Sequence, residues 1–98
     1  MSSNRDAVDR MLIGYKPIIG RFVSGESSAA QFEEDFLSYF KSDANQVPGE
    51  DFDILDALFA DVDDYVDDPA LRAEVGGLDE NELRERASNA YRRLYGEQ

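Results

Sequence analysis

Apolar residues recur along this chain at intervals of three and four, in four long stretches and one short one. In the first stretch, from about Asn4 to Val23, Val8, Leu12, Tyr15, Ile19 and Phe22 or Val23 form one helical stripe, widened by Met11, Ile13 and Ile18. Pro17 lies inside it. A proline lacks the backbone donor and its ring crowds the preceding turn, which predicts a kink or a division near Lys16. Ser24-Gly25-Glu26 closes the stretch, with Gly25 suited to the left-handed backbone of a helix end. The second helix is expected to open on Ser28 as N-cap, with Gln31 completing a capping box. Its apolar positions are Phe32, Phe36, Leu37, Tyr39 and Phe40, its outer ones Glu33, Glu34 and Asp35, and it ends near Ser42. Asp43–Glu50 is polar and punctuated by Asn45, Pro48 and Gly49, the composition of a loop.

The third stretch is Phe52–Asp68. Phe52, Ile54, Leu55, Leu58, Phe59, Val62, Tyr65 and Val66 fall on one contiguous side of a helical wheel, which predicts a helix buried along a broad face. Asp68-Pro69 then reads as the N-cap and first residue of a short helical turn, Pro69–Val75, with Leu71 and Val75 pointing inward. Gly76-Gly77 breaks it. Asp79 caps the last helix with Glu82 at the capping-box position. Leu83, Ala87, Ala90, Tyr91, Leu94 and Tyr95 form its inner face, and Gly96 stops it. No period-two run, internal repeat or low-complexity tract is present. The expected fold is all-α: a small antiparallel four-helix bundle with an additional short helical turn, one domain over residues 1–98.

Charge changes the picture in the third stretch. Its polar side carries Asp53, Asp56, Asp63, Asp64 and Asp67, with Asp61 at the edge and only Ala57 and Ala60 between them. From Ser42 to Leu71 the chain holds ten acidic residues and no basic one, against a net charge of −12 for the whole. Like charges one turn apart destabilise a helix by ~0.2–0.5 kcal/mol per pair. Asp63, Asp64 and Asp67 also crowd the negative end of the helix dipole. The apolar stripe can outweigh this, because each well-buried Leu, Phe or Val contributes ~1.5–3 kcal/mol. Folding alone therefore does not require that acidic face. It is either a solvated surface or one made to meet a basic partner.

Composition narrows the function. The 98 residues suffice for one small core, and the excess of acid argues against nucleic acid or an anionic membrane as direct partner. With no cysteine and no histidine, disulfides, thiolate catalysis, Cys/His zinc sites and the usual imidazole base are all absent. No apolar run reaches the ~20 residues of a spanning helix, and Met1–Arg10 lacks a signal-peptide shape, so the cytoplasm is the expected location. Asp61-Val62-Asp63-Asp64 resembles the start of a calcium loop, but Val66 stands where a glycine is needed and Arg72 where a bidentate glutamate is needed. An acyl carrier's Asp-Ser-Leu attachment triplet and a ferritin-like Glu-x-x-His pair are also missing. No cofactor, metal, small-molecule substrate or enzymatic activity is expected.

Three blocks carry a more specific signal. Phe22-Val23-Ser24-Gly25-Glu26 with Ala30–Phe36, Phe52–Tyr65, and Asp68-Pro69-Ala70-Leu71-Arg72 leading to Leu78–Arg84 together resemble the bacterial self-protective, colicin-like immunity family, over about Asp9 to Leu94. The resemblance implies a small acidic helical bundle that binds a basic nuclease toxin domain. It also implies that the toxin cleaves tRNA, and that carboxylates cover its active site in place of phosphates. On this reading the partner-binding residues are Asp53, Asp56, Asp61, Asp63, Asp64 and Asp67. The alternative is an acidic interaction module, or a nucleic-acid mimic, for another basic partner.

Overall fold

The structure, a computed structural model, describes residues 3–96 and contains five helices. α1 (Ser3–Val23) runs unbroken through Pro17, so the expected division near Lys16 does not occur. Pro17 and Ile13, the residue whose carbonyl loses its donor, both lie on the exposed side, where water can replace the missing bond. Ile13 is 70% exposed and does not widen the buried stripe as its spacing suggested. The stripe is narrower: Met11, Tyr15, Ile19 and Phe22 are fully buried, and Leu12 and Ile18 flank them. Gly25 (φ 89°) ends the helix, with the Glu26 and Ser27 amides donating to the Arg21 carbonyl.

α2 (Ala29–Ser42) is capped by Ser28, whose hydroxyl accepts from the Gln31 amide. The capping box is only half formed. Gln31 turns its side chain down the helix to Asp35 (2.9 Å) instead of back to the cap, one local bond displacing another. Phe32 and Phe36 are buried, and a chain of rings follows them. Phe22 of α1 stacks on Phe32 at 4.4 Å; Phe32, Phe36 and Phe40 follow at 5.6 and 5.8 Å; Phe40 then stacks on Phe59 at 4.6 Å. The loop after α2 is tied to α1: the Tyr15 hydroxyl donates to Asp43 (2.9 Å), and the Val47 amide meets the Met11 sulfur (3.4 Å). Burial pushes the Tyr15 hydroxyl well above its ordinary pKa, so it stays a donor.

α3 (Glu50–Asp63) buries Ile54, Leu55, Leu58 and Val62. It stops at Asp63, five residues before the Asp68 end of the expected stretch, and the reason is long-range. Beyond Asp63 the backbone pairs with the segment before the last helix: the Val66 amide donates to the Leu78 carbonyl (3.0 Å), and the Leu78 amide to the Asp64 carbonyl (2.9 Å). Tyr65 and Leu78 form a single parallel bridge, and Tyr65 and Val66 remain half-buried. α4 (Pro69–Val75) has the expected cap, with Asp68 accepting from the Ala70 amide and Gly76 (φ 72°) terminating it. It buries nothing, however: Leu71 is 47% and Val75 62% exposed, so neither points inward. α5 (Glu80–Tyr95) carries the full capping box between Asp79 and Glu82, buries Leu83, Ala87, Ala90 and Leu94, and ends at Gly96 (φ 66°).

The four long helices close a ring, α1 on α2, α2 on α3, α3 on α5 and α5 on α1, around one core, while α4 stands off the end. Arg84 rivets the ring. Its guanidinium lies 4.5 Å over the Phe22 ring, and its Nε and Nη2 donate to the Phe22 (3.0 Å) and Ser27 (3.4 Å) carbonyls of the α1–α2 corner. At the opposite end of α5 the Tyr95 hydroxyl donates to the Leu12 carbonyl (2.7 Å).

The paired segment leaves no room at Gly77. A Cβ there would fall 2.5 Å from Val66 Cγ2 and 2.7 Å from the Asp64 carbonyl oxygen, one a main-chain atom that cannot step aside. Gly77→Ala should lower stability by about 1–3 kcal/mol, the usual range for overpacking. Thermal unfolding of the variant against the parent checks this, and an unchanged melting temperature would show that the pairing is loose.

Candidate functional site

The acids of α3 divide by edge. Asp61, on the edge that faces α5, is half-buried, and its carboxylate accepts from Arg86 Nη1 at 2.7 Å. Arg93 lines the same α3–α5 cleft. The sequence shows no answering base within α3, but the fold supplies one from α5. Burial raises the Asp61 pKa, an effect that Arg86 opposes and does not cancel.

Asp53, Asp56 and Asp63 are exposed on the rest of the α3 surface. Asp64 and Asp67 are exposed as well, but not on the helix: Asp64 is its C-cap and Asp67 lies in the turn beyond, where it accepts a long bond (3.4 Å) from the Tyr65 hydroxyl. Among the described residues no Lys or Arg stands within ion-pairing distance of these five; the ion pairs join Arg5 to Asp9, Arg21 to Asp35, Arg84 to Glu80 and Arg86 to Asp61.

The structure adds a member that the sequence kept apart. Glu33, assigned by spacing to the outer side of α2, is half-buried, and its pKa is raised by burial first and then by the charges of Asp63 and Asp67. Tyr65 is at the centre of the same group: burial raises its hydroxyl pKa, and Asp67, Glu80 and Glu33 raise it further. The acidic surface therefore spans α2, the end of α3, the turn after it and the start of α5. A polar cleft of about 280 Å³, lined by Tyr65, Asp67, Arg72, Asp79, Glu80 and Asn81, opens within it. Arg72 stands in the wall of that cleft and is held there by the bond from its Nη1 to the Val66 carbonyl at 2.7 Å. The cleft's three carboxylates, Asp67, Asp79 and Glu80, outnumber its one guanidinium. Among the described residues, no group of three or more potential metal ligands is gathered.

A model of the bacterial self-protective colicin-like immunity family matches residues 11–94. The chain belongs to that family. No curated protein and no solved structure matches it. Immunity proteins of this kind are not an enzyme family, and membership implies binding to a cognate toxin protein as protection against a bacteriocin. No helix among the described residues is long and apolar enough to cross a membrane.

The raised carboxyls set a pH dependence for this immunity protein. Glu33 and Asp61 hold their protons more tightly folded than unfolded. Their contribution to stability is therefore greatest when they are protonated and is lost as pH rises through their folded pKa values. The melting temperature should rise as pH falls from 7 toward the upper end of the carboxylate range. Glu33→Gln should raise it at pH 7 and flatten that rise, and Asp63→Asn with Asp67→Asn should act in the same direction by removing the charges that face Glu33. Melting curves at several pH values check the sign; a lower melting temperature at pH 5.5 than at 7 in the parent would reverse it.

Proposed function

We propose that this immunity protein neutralises a nuclease toxin, one that cleaves tRNA, by laying its acidic surface over the toxin's basic substrate-binding site. The reading rests on one observation above all: five exposed aspartates with no counter-ion among the described residues, Asp53, Asp56, Asp63, Asp64 and Asp67, continuous with Glu33. A nuclease must present Lys and Arg to hold an RNA backbone, and a row of carboxylates on a rigid frame offers those cations a substitute for phosphate. Charge of this density speeds encounter by long-range attraction and also strengthens the complex where the pairs become desolvated. Asp61 has a different part: paired with Arg86, it is neutralised at the α5 edge and holds α3 against α5. Inhibition of this sort acts in the cytoplasm, where tRNA is, and needs neither a metal nor catalysis.

The fold suits the task because the acids sit on elements fixed by the core. α3 carries Asp53, Asp56 and Asp63 on a helix whose other side buries Ile54, Leu55, Leu58 and Val62, and the pairing with Leu78 holds Asp64. Little ordering is therefore left to be done on binding.

Charge reversal tests the reading. With the cognate toxin's nuclease domain as partner, Asp56→Lys and Asp63→Lys should each weaken binding by about 100-fold at low salt, with a smaller loss at high salt as screening removes the attraction. Asp9→Lys, on α1 and so across the ring from α3, should change affinity little. Titration calorimetry at two salt concentrations and protection of cells co-expressing the nuclease domain measure both. If the α3 reversals bind and protect like the parent, the inhibitory surface lies elsewhere.

A further inference from the structure

We propose that α4 is the apolar anchor of the toxin interface: Leu71 and Val75 seat in an apolar recess on the toxin that is bordered by lysine or arginine. The proposal rests on the toxin-binding reading above and adds a second kind of contact to it.

Isolated exposed apolar residues are ordinary on protein surfaces. α4 is less ordinary. It is a seven-residue helix with no buried residue, and it makes no substantial contact with the four helices of the ring. A helix that short does not hold together by itself in water. This one is fixed all the same, by the Asp68 cap, by Pro69 at its start, by Arg72 reaching back to the Val66 carbonyl, and by left-handed Gly76 leading into the pairing of Leu78 with Asp64 and Val66. The chain thus builds and braces an element that gives the core nothing. Its two large apolar residues are four apart, hence on one side of the helix, and that side is outward.

Charge indicates what covers them. Asp67, Asp68 and Glu74 flank Leu71 and Val75 in sequence and are exposed, and Arg72, the one cation of the helix, is held against main-chain carbonyls. The acid cleft at Tyr65 and Asp67 adjoins, with Arg72 in its wall. The matching surface is apolar at its centre and cationic at its rim. That is the usual anatomy of a tight interface, in which desolvated apolar anchors carry affinity and rim charges exclude wrong partners. The rival occupant is a second copy, whose groove at Ile13, Lys16 and Arg21 is also apolar and cationic. Such a contact would be head-to-tail and would not close, and a net charge of −12 on each copy opposes it.

The test is a Leu71→Ser, Val75→Ser double variant assayed against the same purified nuclease domain by surface plasmon resonance at low and high salt. Both residues are exposed, so the melting temperature should match the parent's. We expect a loss of about 30-fold or more, the size of a hot-spot deletion, appearing in the dissociation rate and persisting at high salt. Parent-like dissociation in the double variant, while Asp63→Lys loses binding, overturns the anchor and leaves the acidic interface standing. If Asp63→Lys also binds normally, the acidic interface is what has failed, and the anchor goes with it. Sedimentation decides the rival: a parent that self-associates at micromolar concentration, and is made monomeric by either Leu71→Ser, Val75→Ser or Ile13→Ser, assigns the anchor to a second copy and overturns the proposal.

Discussion

The chain of rings along α2 is what the rest of the molecule leans on. Phe32, Phe36 and Phe40 recur every fourth residue, so they line one side of the helix, and each touches the next. One end of the series stacks on Phe22 of α1 and the other on Phe59 and Phe52 of α3. Three of the four ring helices are thereby joined through a single continuous aromatic contact. Rings in such contact contribute about 0.5–1.5 kcal/mol per pair beyond the area they bury. That margin matters for α3, whose repelling aspartates each subtract a few tenths.

The distribution of cations decides where the negative charge is felt. α5 follows helix electrostatics, with Glu80 and Glu82 at its start and Arg92 and Arg93 at its end, and lends Arg86 to Asp61. α3 does the reverse, with acids at both ends and no base. Because α5 lies against only one edge of α3, neutralisation stops there, and the outer surface together with the α2 edge keeps its charge. Under the toxin-binding role proposed above, the unneutralised side is the one that meets the partner.

Cap and terminator positions were legible in the chain, although the Gln31 side chain bonds Asp35 instead of completing its capping box. Ser28, Asp68 and Asp79 cap the helices they were expected to cap, and Gly25, Gly76 and Gly96 end them, because each acts on backbone within a few residues. Where the end of α3 was misplaced, a distant segment had intervened. Tyr65 and Val66 continue the apolar spacing of α3, yet pairing with Leu78 draws them off the helix and takes Asp64 and Asp67 with them. Periodicity identifies a side of a helix but not whether a neighbour covers it, so Ile13, Leu71 and Val75 had the right spacing and the wrong environment. The exposure of the α3 acids was readable from the wheel. The pairing of Asp61 with Arg86 and the grouping of Glu33 with Asp63 were not, since both depend on which helices stand side by side.

The last helix closes the molecule on its first. Tyr95 reaches the Leu12 carbonyl and Arg84 the Phe22 carbonyl, contacts that join residues 83 and 62 positions apart, and one flank of α1 is covered by α5 alone. Contacts so far apart in sequence form only after a long loop has been closed. During synthesis α1, α2 and α3 can associate as they emerge, but Leu83, Ala87, Ala90 and Leu94 are still missing from the core until α5 is made. Until α5 is in place the other three ring helices are left with an open apolar seam, so the bundle is sealed only by its last helix.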